Sequence, residues 1–146
     1  RAGRVPGLAP SKGRMLRRLA YVSYPAADFV ATDVARIIHV SRVNNAAHGI
    51  TGVLVYTGSD FAQLIEGRHE AIETLWQKLR ADPRHRDVQA FIDEPAERAW
   101  FETWRMGYLY DDSLSRRIAE WRKLRAELAH VERDALRSLL AAADAY

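Results

Sequence analysis

NNAAHGITGVLVYTGSDFAQLIEG, residues Asn44–Gly67, reads as a helix end, a strand, a tight turn and a second strand. Ile50–Tyr56 is short, apolar and rich in β-branched residues (Ile50, Thr51, Val53, Val55). Thr57-Gly58-Ser59-Asp60 supplies turn residues, and Phe61–Glu66 is the return strand, so the spacing predicts a β-hairpin. Side chains alternate faces along a strand. Phe61, Gln63 and Ile65 therefore share one side, and Ala62, Leu64 and Glu66 the other. Gln63 is then a primary amide on an otherwise apolar face. A buried amide needs partners for its oxygen and both N–H groups, so something polar has to stand opposite it.

Upstream, Met15–Tyr24 predicts a strand with apolar groups on both faces, the pattern of a central strand covered on both sides. Thr32 suits a helix N-cap, with Asp33 in the favourable first turn. Val34, Ile37, Ile38 and Ser41 recur at i, i+3, i+4 and i+7, the stripe of an amphipathic helix, and Asn44, Asn45, His48 and Gly49 read as its C-terminal cap and exit. Downstream, a second helix is expected over Glu70–Ala81, with Ile72, Leu75, Trp76 and Leu79 inward and Pro83 as its stop. Val88–Asp93 predicts a strand and Glu94–Trp100 a loop. Trp104–Tyr110 predicts a fifth strand, with Trp104, Met106 and Tyr108 facing one way. Asp111-Asp112-Ser113 opens a helical tail with two stripes: Leu114, Ile118, Trp121, Leu124 and Leu128, then Val131, Leu136, Leu139 and Leu140.

The order β-α-β-β-α-β-β followed by helices is that of an α+β, ferredoxin-like sheet. The two crossover helices should cover one face and the C-terminal helices the other. In that topology the first and third strands are adjacent, which makes Tyr21 and Gln63 neighbours on one face. Three segments result: a disordered lead or cloning remnant over 1–14, a core over 15–110 and a helical cap or output region over 111–146.

A chain of 146 residues supports one domain with a substantial core. It has no cysteine, which removes disulfides, thiolate metal sites and cysteine nucleophiles. No apolar run approaches the roughly 20 residues of a membrane span, and no signal peptide is visible, so cytoplasm is the default expectation. The formal charge of +3 is concentrated: Arg1, Arg4, Lys12, Arg14, Arg17 and Arg18 leave 16 basic against 19 acidic residues, or −3, for Leu19–Tyr146. Net basicity is thus no argument for nucleic acid. His39, His48, His69, His85 and His130 are scattered, without metal spacing, and neither a Gly-rich phosphate loop nor a nucleophile–base pair is present to support a small hydrolase.

Taken singly, Tyr21 and Met106 are core residues, Gln63 a solvent-facing strand residue and Asn45 a helix cap. Taken in order, LRRLAYVS (Leu16–Ser23), SRVNN (Ser41–Asn45), GITGVLVY (Gly49–Tyr56), FAQLIEG (Phe61–Gly67), DPRHRDV (Asp82–Val88) and FETWRMGY (Phe101–Tyr108) resemble the BLUF family of blue-light sensors that use flavin. The resemblance covers Leu16–Tyr110 and implies a short photoreceptor, without a fused effector domain or catalytic turnover, acting through a separate effector protein and forming homo-oligomers. It implies a flavin, FAD with FMN or riboflavin as alternatives, held between the crossover helices. Tyr21 and Gln63 would be the photoactive pair, Asn45 would bind the ring edge and Asn44 the ring. Ile37, Ile38, Leu54 and Phe61 would pack on it, with Arg42, Arg84 and His85 at the phosphate tail. Ser23, Trp104 and Met106 would relay the signal. The competing expectation is a ferredoxin-like ligand-binding or protein-interaction module in which the Tyr–Gln pair serves structure alone.

Overall fold

Leu16–Pro25 (β1) carries apolar groups on both faces because it lies inside a five-stranded sheet with a strand on each side. The computed structural model describes residues 15–124 and 133–141. After β1 come helix α1 (Asp33–His48), strands β2 (Thr51–Tyr56) and β3 (Phe61–Arg68), helix α2 (His69–Ala81), and strands β4 (His85–Ala96) and β5 (Gly107–Tyr110). A 3-10 turn at Asp112–Leu114 leads into α3 (Ser115–Leu124), and α4 spans Arg133–Leu140. The lead over 1–14, and Leu128 and Val131 of the tail stripes, lie outside the described residues.

The sheet order is β4-β1-β3-β2-β5. All neighbours are antiparallel except β2 and β5, which run parallel. The first four strands with their two crossovers reproduce the ferredoxin-like order expected from the sequence. Three apolar clusters hold the layers together. Leu19, Tyr21, Ile50 and Ile65 pack under Ile72 and Trp76 of α2. Leu54, Tyr56, Phe61 and Met106 pack under Val34 and Ile38 of α1. On the opposite face Ala20, Val22, Val53, Val55, Ala62 and Leu64 meet Ile118 and Trp121 of α3 and Leu136 and Leu140 of α4. Each large side chain fully buried this way contributes about 1.5–3 kcal/mol.

Four local expectations are corrected. Thr32 occupies the N-cap position of α1 but is already helical in conformation and makes no side-chain cap bond; Asp33 Oδ2 instead accepts from the Val30 N–H at 2.9 Å. Asn44 and Asn45 are not the cap, because α1 continues to His48. Gly49, at φ 67°, takes the left-handed position that ends the helix and donates its N–H to the Asn45 carbonyl. β4 begins at His85 and runs to Ala96; two register irregularities against β1 and a left-handed Asp87 break the alternation that a sequence reading needs. β5 starts only at Gly107. Trp104 and Met106 precede it in irregular chain and face opposite ways: Trp104 stacks on Phe101 (centroids 4.8 Å, 16°) on the α3 side, whereas Met106 lies under α1.

Candidate functional site

β1 and β3 pair with Tyr21 opposite Gln63, and Leu54 of β2 stands opposite Gln63 on its other side. Strand alternation lifts Tyr21 and Gln63 onto the face that α1 and α2 cover. The Tyr21 hydroxyl donates a hydrogen bond to Gln63 Oε1. Gln63 Nε2 points at Met106 Sδ, 3.7 Å away, a weak acceptor that leaves most of the donor capacity of this amide unused. The Tyr21 ring packs against Trp76 at 5.5 Å and meets the edge of His85 at 5.9 Å. Burial pushes the Tyr21 phenol well above the usual tyrosine range, so its hydroxyl is held protonated as a donor.

Above the pair a cleft, open to solvent, runs between the crossover helices. Leu54, Phe61 and Gln63 form its floor with Tyr21; Ile37, Val40 and Ser41 of α1 form one wall. Leu79 of α2 and the following Asp82, Arg84 and His85 form the other. His85 is fixed on both nitrogens. Its Nε2 faces the Leu79 carbonyl, which can only accept, so Nε2 carries a proton, and Nδ1 shares a hydrogen bond with the Ser23 hydroxyl at 3.0 Å. Arg84 forks onto Asp82 at 2.6 Å. Burial disfavours the Asp82 carboxylate, but the hydrogen bonds from Arg84 outweigh it and hold the carboxyl below its ordinary range.

Of the residues singled out from sequence, Tyr21, Ile37, Leu54, Phe61, Gln63, Arg84 and His85 line this cleft. Ile38 is buried in the apolar cluster under α1, and Ser23 sits behind His85. Asn45 is 1% exposed, and one N–H of its Nδ2 donates to the Arg105 carbonyl, away from the residues that line the cleft. Arg42 Nε donates to the Met106 carbonyl at 3.3 Å, so it anchors the chain before β5 and does not form a cleft wall. Asn44 is half-buried and gives its backbone carbonyl to His48 at 2.9 Å. Trp104 lies across the sheet from Gln63. Val40, Ser41, Leu79 and Asp82 were not singled out. Ser41 and Asp82 had a signal, one at i+4 from Ile37 and the other two residues before Arg84; exposed Val40 had none.

One constellation escaped the sequence reading altogether. Arg18 and Glu66, 6% and 1% exposed, pair at 2.7 Å on the α3 side of the sheet. Both Glu66 oxygens also accept from the Trp100 N–H, at 2.8 and 3.0 Å, and Arg18 Nη1 reaches Glu94 at 2.7 Å. The pair thereby pins the start of the loop that delivers Trp104 and Met106. Among the described residues no group of histidines and acids is arranged to hold a metal, and no helix is long and apolar enough to cross a membrane.

A buried phenol–amide pair thus lies under a cleft between two helices, with a mainly apolar wall on α1 and a charged one after α2. The family model for sensors of blue light using FAD matches residues 16–107. The chain belongs to the BLUF family. Photoactivated adenylate cyclase subunit beta of Euglena longa is 31% identical over 111 residues, 75% of this chain and 13% of that protein. The blue light- and temperature-regulated antirepressor BluF of Escherichia coli K12 is 29% identical over 86 residues, 58% of this chain and 21% of that one. Among solved structures, the BLUF protein BlrB in its dark state is 34% identical with a TM-score of 0.72, covering 89% of this chain and 98% of that chain. BlrP1 of Klebsiella pneumoniae is 29% identical with a TM-score of 0.66, covering 88% and 33%. This BLUF chain therefore spans only a small part of these two curated relatives.

BLUF domains are photosensors whose chromophore is FAD, and the residues in place fit that group. Ile37, Leu54 and Phe61 offer apolar surface to a planar ring. Gln63 holds an underused N–H donor at the cleft floor. Arg84 brings a guanidinium to the cleft wall, where an anionic tail would leave it.

Proposed function

We propose that this BLUF chain senses blue light through a hydrogen-bond switch centred on Tyr21 and Gln63, and that it passes the change to a partner protein without catalytic turnover. The observation that carries the reading is the hydrogen bond from the Tyr21 hydroxyl to Gln63 Oε1, at the floor of the cleft between the crossover helices. Bound FAD supplies the absorption of blue light and the oxidising power that follows. Tyr21 is the electron donor, because its ring is buried against Trp76 and its hydroxyl proton already points at an acceptor. Gln63 holds that proton and relays it. A primary amide offers a donor and an acceptor in fixed geometry, so rotation or tautomerisation exchanges their places without a change of volume.

After exchange, Gln63 no longer presents the same group to Met106. Met106 stands immediately before β5, and β5 leads through Asp111 into the 3-10 turn and α3. Trp104 shares the loop pinned at one end by Glu66 and at the other by the bond from Asn45 to the Arg105 carbonyl. A local hydrogen-bond change can thus bias how this loop and the C-terminal helices pack. Ile37, Leu54 and Phe61 would hold the ring, Asn45 its edge, and Arg84 and His85 its tail.

The test is direct. Protein reconstituted with FAD should be yellow, and blue illumination should shift its absorption bands reversibly to the red. A flavin-loaded protein with identical spectra in dark and light would refute the photoreceptor reading. Co-purification of partners, and the assembly state, in dark and light would then identify the output.

A further inference from the structure

The short helix α3 crosses the back of the sheet and is tied at both ends to strands that form the cleft. At its first residue, Ser115 Oγ lies 3.0 Å from Ser59 Oγ in the β2–β3 turn, and just before the helix the Asp111 N–H bonds the Tyr56 carbonyl at 3.1 Å. This end follows the hairpin that carries Gln63. Its centre is buried through Ile118 and Trp121, the latter 5.5 Å from the Phe91 ring. At its last turn, Arg122 Nη1 donates to the Asp87 carbonyl at 2.7 Å, and Gln89 Nε2 donates in return to the Arg122 carbonyl. The Arg122 guanidinium also lies 4.3 Å over the Tyr24 ring.

Asp87 is the one described non-glycine residue at positive φ, 53°. It sits where β4 gains a residue against β1: Val22 pairs with Gln89 but Tyr24 with Arg86. Such a bulge frees a carbonyl from the ladder, and Arg122 takes it. Left-handed backbone outside glycine is sparsely populated and persists where surrounding contacts enforce it. On the cleft side of the same segment, His85 is wedged between Ser23, the Leu79 carbonyl and the Tyr21 ring. His85–Gln89 therefore joins the wall of the chromophore cleft to both bonds that hold the end of α3. The hold is slight: Arg122 Nη2 is buried and finds no hydrogen-bond acceptor among the described residues. Among the described residues this guanidinium is kept by one hydrogen bond and one ring, and the cost of its unpaired buried donor lowers what breaking that hold would take.

We infer that α3 is a strap with a fixed end at Ser59–Ser115 and a releasable end at Arg122–Asp87, and that rearrangement at Tyr21 frees the releasable end through His85 and the β4 bulge. Arg122 is a positioning residue for the output and touches nothing in the cleft. The inference rests on the photoreceptor reading and adds a route distinct from β5.

Hydrogen exchange on the FAD-loaded full chain, dark and illuminated, tests it, with the absorption shift recorded on the same sample. The last-turn amides of α3 should exchange about tenfold faster in light, the ratio expected for loss of a charge-assisted bond, while the Ser59 turn stays unchanged. R122A should show the fast rate already in the dark, gain nothing on illumination and keep its red shift. R122Q retains an N–H for the Asp87 carbonyl without the charge and should fall between the two. Equal exchange in dark and light despite a red shift, an undiminished light response in R122A, or R122Q identical to wild type would each overturn the strap. Absence of any red shift would instead overturn the photoreceptor reading, and the strap with it.

Discussion

Tyr21 and Gln63 face each other in register across β1 and β3, with the phenol donating to the amide oxygen and the amide nitrogen turned to Met106 Sδ. Removing either polar group leaves the walls of the cleft in place. Tyr21→Phe and Gln63→Leu should therefore still bind FAD and lose the reversible red shift in light-minus-dark spectra. Tyr21→Phe also strands a buried acceptor, which should lower folding stability by about 1 kcal/mol. A normal photocycle in either variant would exclude the roles given to the pair.

The buried phenol has a consequence for alkaline stability. Its pKa is raised by burial, while the unfolded phenol ionises near pH 10. Above that value the unfolded chain binds fewer protons than the folded one. The stability is fully present below about pH 10 and is lost as the pH rises towards the folded value, with a limiting slope of about 1.4 kcal/mol per pH unit per such group. Urea midpoints measured between about pH 8 and pH 11 should fall at the alkaline end, and Tyr21→Phe should flatten the fall. It should not abolish it, because burial also raises Tyr56 and Tyr108.

Trp104 stacks on Phe101 away from the cleft, so its loss should be felt in packing and output before colour. Trp104→Ala should cost about 2–3 kcal/mol in chemical denaturation, since the ring is only partly buried. It should keep the red shift and change light-dependent partner binding or assembly. Met106→Leu reports on the other side: it removes the thioether facing Gln63 Nε2 at nearly constant volume, and should alter the rate of dark recovery at a stability cost below about 1.5 kcal/mol.

Glu66 holds Arg18 and the Trp100 N–H inside the protein. Glu66→Ala should cost about 3–5 kcal/mol, because it leaves a buried guanidinium and a buried N–H short of acceptors. Glu66→Gln keeps an acceptor and should cost less. Thermal or urea unfolding of the two variants separates these outcomes. Equal stability of wild type and Glu66→Ala would show that the loop carrying Trp104 is not pinned there.

The alternation in Phe61–Glu66, the stripe over Val34–Ser41 and the β-α-β-β-α-β order were readable because period and order are local properties of the chain. They were enough to place Tyr21 beside Gln63, since in this topology the first and third strands are neighbours. The opposite orientations of Trp104 and Met106 could not be read. Their backbone is held by Asn45, Arg42 and Gly52 from elsewhere in the chain, which overrides the alternation their spacing suggested. The same holds for the Arg18–Glu66 pair, the bulge at Asp87 and the grip of Arg122 on it. Each joins residues more than thirty positions apart or depends on a backbone angle, and no periodic pattern records either, so these features came into existence only with the folded sheet.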